Sequence, residues 1–518
     1  MSKSNKNKAK FKYYPKNVIL PTALVELLDK KILETAPDFK FDITIAKIFL
    51  WLVINRTSND WDIELFDEYI PIPHQIFEYY NPSKYTKYLN YLEQINLIEH
   101  LGWKNFKDES RCKMFRLSSE ALTAIWNADF SFTTVNVEQL ISQIRISFRK
   151  YDISPALFIK LPHLVSWYND KLTVDYDLSL DFIKQSYLKT DDIFRNLYKL
   201  RNFKESNFYA TQNESSDGRL HTNLSNFPRE LRQFLRYDGQ SLVSYDLKAS
   251  QPYFLIALIE SLFREMISKP PTTSSIEGIY EENERLIKEK IKRNNKVYSY
   301  ILDTFRETSI SEGFTEEFNK FKSLYYSDIY DELGQILIPD EDYYLAVDEN
   351  GQDLLNRDGN PFWIRNKYVE YNDKYKKKKM KTVPRFYDSK RDMMKVIVLN
   401  ILYGGTKRPC QEYKLFEENF PYISQLMKAI KKDKKEDFPR LLQQIESDCI
   451  LNFVTLKLSE KYPEMPIWTI HDSIITTDEY ANSIDLKSEI TDLIREYSGV
   501  EPLIKEEMFC ENCIVSAA

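Results

Sequence analysis

Glycine is scarce in this 518-residue chain: there are 11, where ordinary usage would give about 36. That argues against Gly-rich repeats, flexible Gly linkers and Gly-rich phosphate loops. Neither GxxxxGK[ST] nor GxGxxG occurs, so ATP-grasping and dinucleotide-binding folds lose their usual support. Cysteine is scarce too. Five scattered residues make no disulfide framework, and the one close pair, Cys510 and Cys513, is either half a zinc site or incidental. No apolar run approaches the roughly 20 residues that a membrane span needs; IFLWLVI at 48–54 is the nearest. These absences give the expectation of a soluble protein of a reducing compartment, most simply cytoplasmic, with no membrane partner.

What is present is ample core material. Apolar residues make up 43% and charged ones 29%, enough for several domains at roughly 150 residues each. The 35 Tyr and 31 Phe, beside abundant Lys, Asn and Ile, reflect an AT-rich genome as readily as a function. Net charge is −6, yet lysines cluster in three places: Lys3 to Lys16, KYKKKKMK at 374–381 and KAIKKDKK at 428–435. A lysine run is usually a solvated face, but three on an acidic chain favour an anionic partner met through particular surfaces.

Along the chain, 16–58 reads as two helices, VILPTALVELLDKKILETA and DITIAKIFLWLVINR, from apolar spacings of three and four. A helix, a turn and a second helix with Ser83 as N-cap follow, then two alternating segments around a polar turn at 107–110. That order resembles a winged-helix module, and the resemblance makes Lys84, Lys87, Tyr88 and Asn90 the nucleic-acid-facing residues. The same periodicity suits a small helical packing domain or a docking site for a protein partner. Residues 131–215 read as mostly helical, and DENGQDLLNRDGNPFWIR at 348–365 as a hairpin.

Three segments carry chemistry. SLVSYDL at 241–247 reads as a buried strand ending in Asp246, with an apolar helix from Pro252 onward. A buried carboxylate there is costly unless it meets a cation or a partner. In RDMMKVIVLNILYGG at 391–405, Arg391, Lys395, Leu399 and Tyr403 recur every four residues, so one helical face presents two cations and a ring. Two cations one turn apart suit a polyphosphate. Gly404 and Gly405 fit a helix stop. MPIWTIHDSIITT at 465–477 reads as strand, His471-Asp472-Ser473, strand.

Taken in order, the three resemble motifs A, B and C of the family A DNA polymerases and of their relatives, the single-subunit RNA polymerases. DGRLHTNLSNFP at 217–228 is similar to the block that precedes motif A in the DNA enzymes, and QQIESDCILNFVTLKL at 443–458 to the helix before motif C. The resemblance covers 216–261 and 386–480. It implies an α+β right-hand core of palm, fingers and thumb with a helical, winged-helix-like N-terminal domain. The corresponding divisions are 1–130 for the module, 131–215 for a thumb-like region, 216–261 and 441–518 for the palm, 386–440 for the fingers, and 262–385 for an insertion. It further implies two Mg²⁺ ions, with Mn²⁺ as a substitute, held by Asp246, Asp472 and the Leu247 carbonyl. Arg391 and Lys395 would grip the triphosphate, Lys395 also serving the leaving pyrophosphate. Tyr403 and Leu399 would line the nucleotide. Arg219, His471 and Gln443 would contact primer and template. The partners implied are primer-template DNA and dNTPs.

The sequence also departs from that family. Motif C is usually His-Asp-Glu in the DNA enzymes, whereas His-Asp-Ser is the form typical of the RNA enzymes. The position five after Asp246 is a bulky glutamate in the former and small in the latter; here it is Gln251, which favours deoxynucleotides. No exonuclease signature is visible, so proofreading is not expected. An RNA-polymerase-like enzyme or a primase is the first alternative, and a catalytically inactive DNA-binding initiator or regulator the second. Presence of Asp246, Arg391, Lys395, Tyr403 and Asp472 together argues against the inactive form, since a decayed site sheds buried charge. The short, nuclease-free architecture suggests a phage or other mobile element by analogy of fold.

Overall fold

A computed structural model describes residues 17–58, 69–72, 74–81, 84–105, 111–128, 131–137, 152–153, 155–186, 190–214, 216–267, 312–337, 344–345, 347, 351–355, 362–372, 378–387, 389–405, 411–431 and 434–509. The Lys3–Lys16 arm, Ser83, the 107–110 turn and the Cys510/Cys513 pair lie outside them. Among the described residues no helix is long and apolar enough to cross a membrane. Helices and strands are mixed throughout, and their apolar faces form two cores.

The smaller core gathers residues 18–137. Its first segment departs from the helical expectation: Asn17–Pro21 is a strand, and the helix begins only at Thr22. β-branched Val18 and Ile19 sit against Phe132–Asn136 in an antiparallel pair, Val18 opposite Val135, so a tertiary partner overrides the helical spacing. The second helix, Ile43–Ser58, forms as expected. Ile70–Ile72, Arg111–Leu117 and Ile98–Asn105 make a three-stranded sheet with Arg111–Leu117 in the middle. The helix Tyr85–Gln94 lays Tyr88, Leu89 and Leu92 on this core. Tyr88 is therefore not a nucleic-acid-facing residue. It is 1% exposed, stacks on Phe41, and its hydroxyl accepts from the Asp42 amide at 2.7 Å. Lys87 and Asn90 do face outward, and Lys84 is half-buried at the helix start.

Helix Thr190–Lys204 joins the two cores. Phe194 and Tyr198 reach into the smaller one, where the Trp51 indole donates to the Tyr198 hydroxyl at 2.9 Å, while Leu197, Leu200 and Phe203 belong to the larger. The 131–215 region is less helical than its spacing suggests, because Leu172–Val174 is a strand paired with Leu235–Tyr237 and Tyr209–Gln212 is one paired with Leu220–Thr222.

The larger core is organised by a four-stranded antiparallel sheet in the order Trp468–Ile470, Ser473–Thr477, Leu242–Leu247, Ile504–Met508. Helix Ser250–Ile267 is so apolar from Tyr253 to Ile259 that all seven residues are fully buried. The chain from Asp437 to Lys461 is helical without a break, with a π-helical stretch at Asp448–Val454. Such stretches are rare and recur near functional sites.

The 262–385 region contributes helices Glu312–Tyr326 and Ile329–Leu337. Gly334 lets the second of these approach helix Lys390–Tyr403 closely; a Cβ there would lie 3.0 Å from Met394 Cγ. Around the hairpin expected at 348–365, Tyr344–Leu345 pairs antiparallel with Trp363–Ile364 and Val347 bridges Asp353, and a longer hairpin lies further on, Trp363–Asn372 with Lys378–Tyr387. Part of the first internal lysine run thus becomes strand. The second run is not simply a solvated face either. Lys431 is buried, and its ammonium donates to the Ile401 and Gly404 carbonyls at 3.0 and 2.9 Å. It caps the C-terminus of the Lys390–Tyr403 helix, where backbone carbonyls lack intrahelical partners and the helix dipole favours a cation.

Candidate active site

Asp246 lies near the end of the central strand, opposite Ser473 on the neighbouring one. Asp472 immediately precedes Ser473, in the two-residue turn that joins Trp468–Ile470 to Ser473–Thr477. Adjacent strands run about 4.8 Å apart, so this register brings the two aspartates to one end of the sheet. His471 takes a φ of +56° in that turn, as the first central residue of a primed hairpin turn must. Ala249, just after the Asp246 strand, also has a positive φ, +48°. Non-glycine residues held there mark positions that the surroundings over-determine.

The Ser473 hydroxyl donates to Asp246 Oδ1 at 2.5 Å. Even so, burial and the negative charge of Asp472 push the Asp246 carboxyl up to about 6, with Lys395 only partly offsetting them. Among the described residues no three His, Cys, Asp or Glu side chains converge at metal-ligand spacing.

Helix Lys390–Tyr403 begins at Ser389, whose hydroxyl accepts from the Asp392 amide at 3.0 Å. It buries Met393, Met394, Ile397, Val398, Ile401 and Leu402, and leaves Arg391 and Lys395 exposed and Leu399 and Tyr403 half-buried on the opposite stripe. Its end demands glycine: a Cβ on Gly404 would collide with the Asn400 carbonyl oxygen. Arg391 is held by two residues that the sequence did not mark. Its Nε donates to Asp328 at 3.0 Å, and its guanidinium lies over the Tyr330 ring, 5.2 Å from the centroid.

A further unmarked residue is central. Glu446 is fully buried, and its Oε1 accepts from Arg219 Nε and Nη2 at 2.7 and 2.6 Å. Its Oε2 accepts from Gln251 Nε2 at 2.6 Å. Burial and the charge of Asp472 push the Glu446 carboxyl up to about 7 in spite of these donors. A signal existed in the sequence: an acid at 446 falls on the apolar stripe of Phe438, Leu442, Ile445 and Cys449. Gln443 Nε2 donates to the Tyr403 hydroxyl at 3.4 Å, and burial raises the Tyr403 hydroxyl above its ordinary pKa. Burial, followed by the nearby charges of Arg219 and His221, lowers His471 to about 4, so it is neutral at pH 7. The Leu247 side chain is buried at the strand end.

Asp246, Asp472, Arg219, Gln251, Tyr403, Gln443 and His471 are thus linked by contact or by mutual electrostatics, Lys395 joins through Asp246, and Arg391 extends the stripe by one turn. Lys84 and Lys87 are not part of this group and belong to the smaller core's surface.

No protein-family model matches the chain, and no curated protein matches it. A solved structure that does match is the POL domain of Pol1 from M. smegmatis in complex with DNA primer-template and dNTP. It covers 65% of this chain at 13% identity and a TM-score of 0.21. The match spans 55% of that structure's own chain.

Proposed function

We propose that the chain is a nucleotidyltransferase of the right-hand type, similar to the family A DNA polymerases. It would extend a primer on a nucleic-acid template, with dNTPs favoured and without proofreading. The observation that carries this reading is the convergence of Asp246 and Asp472, far apart in sequence, at one end of an antiparallel sheet beside Lys395. Burial first, and the charge of Asp472 second, disfavour the ionised Asp246 carboxylate and raise its pKa, and a divalent cation is the partner that relieves both. Mg²⁺ therefore fits, with Asp246, Asp472 and the Leu247 carbonyl to hold it. When bound, it supplies Lewis-acid activation of the attacking 3′-hydroxyl and neutralises charge on the triphosphate and pyrophosphate.

The chain's own groups do the rest. Lys395 and Arg391, one turn apart, bind the triphosphate as charge-assisted donors. Tyr403 offers its ring beside the nascent pair, tethered through its hydroxyl by Gln443, and Leu399 lines the same stripe. Arg219 meets the primer end, and neutral His471 stands there without adding charge. Gln251 crowds the sugar. Lys84 and Lys87 would contact phosphates of the bound duplex from the smaller core.

The test is extension of a primed template with Mg²⁺ and either dNTPs or NTPs, and with EDTA as control. Metal-dependent extension with dNTPs is expected. Exclusive use of NTPs would move the assignment to the RNA-polymerase-like or primase reading, which the His471-Asp472-Ser473 turn favours. Nucleic-acid binding with no extension by either set would leave the inactive initiator.

A further inference from the structure

We propose that Glu446 is the positioning residue for sugar choice: it locks the Gln251 amide in the orientation from which that side chain discriminates between nucleotides. The proposal rests on the nucleotidyltransferase reading. Glutamine is a long side chain with rotamers to spare, and bulk alone makes a poor barrier if it can swing aside. Here it cannot. Gln251 is 5% exposed, and its Nε2 donates to Glu446 Oε2 at 2.6 Å. Glu446 is itself held, at 0% exposure, by two donors from Arg219 on its other oxygen. Both Arg219 donors go to Glu446 Oε1, which leaves Oε2 to accept from the Gln251 amide nitrogen, so the amide turns its nitrogen to Glu446 and its oxygen away.

The amide oxygen points to the same role. Gln251 Oε1 is buried and has no hydrogen-bond partner among the described residues. Buried acceptors are normally satisfied, and a glutamine placed only for packing would not leave this one unpaired. The arrangement is the one expected if a fixed amide, rather than a satisfied one, is required. Arg219, Glu446 and Gln251 then form one unit that joins the primer-end cation to the sugar-side amide, on elements from three separate stretches of chain.

The experiment measures the ratio of kcat/KM for a dNTP to that for the matching NTP in wild type, Gln251→Met, Glu446→Gln and the double variant. Gln251→Met keeps the bulk and leaves the Arg219–Glu446 pair intact, so it tests the lock even if Glu446→Gln, which strands the arginine's charge, fails to fold. Each single variant is expected to lower the ratio by roughly three- to tenfold, the worth of one hydrogen bond. The double variant is expected to be no lower than Gln251→Met alone, because Glu446 acts through Gln251. A role for Glu446 in stability alone would shift melting temperature without this non-additivity. An unchanged ratio in Gln251→Met, or losses that multiply in the double variant, overturns the proposal while wild-type extension leaves the polymerase reading standing. Wild type that extends with neither nucleotide overturns both.

Discussion

Replacing Asp246 with asparagine should make the protein inactive and more stable at once. The carboxyl titrates at about 6 in the folded chain against 3.8 for an unperturbed aspartate, because burial and Asp472 disfavour its charge. Between those pH values the folded state binds more protons than the unfolded one, so stability falls as pH rises and stays reduced above pH 6. A carboxyl displaced by about two pH units, at 1.36 kcal/mol each, costs about 3 kcal/mol at pH 7.5. Asparagine keeps an oxygen to accept from Ser473 but brings an amide group that needs a partner of its own, so the gain should be about 1–3 kcal/mol. At roughly 1 °C per kcal/mol for a chain of this length, that is a rise of about 1–3 °C in melting temperature in EDTA. The gain should shrink as pH falls from 6 toward 3.8, where the wild-type carboxyl is itself neutral in the fold. Mg²⁺ should stabilise wild type, since a ligand bound only by the native state raises its stability, and should do so much less for the variant. Melting curves in EDTA and in Mg²⁺ across pH, beside a primer-extension gel, give all the quantities. An Asp246→Asn protein that melts no higher than wild type in EDTA at pH 7.5, or that still extends primers, refutes the reasoning.

Lys431→Met keeps the aliphatic stem but leaves the Ile401 and Gly404 carbonyls without their donor. A loss of about 1–3 kcal/mol is expected by denaturant unfolding, and a neutral result would mean that water replaces the ammonium. Gly404→Ala forces a methyl against the Asn400 carbonyl oxygen, so the helix end must shift. Primer extension should then weaken through Tyr403, one residue away, and unchanged KM and kcat would show that the end yields without moving the ring. Lys84→Ala with Lys87→Ala should weaken nucleic-acid binding and flatten its dependence on salt by a slope of about 0.9 for each phosphate that is no longer neutralised, with extension of a saturating substrate retained. Binding that keeps its salt slope would identify that face as a site for a protein partner.

How much of this is legible in the sequence depends on where each residue's partner lies. The Asp246 strand, the Lys390–Tyr403 helix and the His471-Asp472 turn are readable because each is specified locally, by alternation, by four-residue spacing or by a polar pair between apolar strands. Val18–Leu20 misleads because its apolar spacing fits a helix, and only the distant Phe132–Asn136 strand makes it a sheet edge. Tyr88 stands close to two lysines and so suggests an outward face, but the aromatic cluster with Phe39 and Phe41 claims it. Lys431 lies inside a lysine run whose composition speaks for solvent, while its actual partners are carbonyls of another helix. Glu446 is the instructive case. It is visible as an acid on an apolar stripe, which the sequence can only mark as anomalous; that it joins Arg219 to Gln251 depends on three segments meeting in space. Motif spacing therefore exposes the groups that would face a substrate. The residues that hold those groups in place are chosen by packing, so they sit where the local pattern is broken rather than where it is strongest.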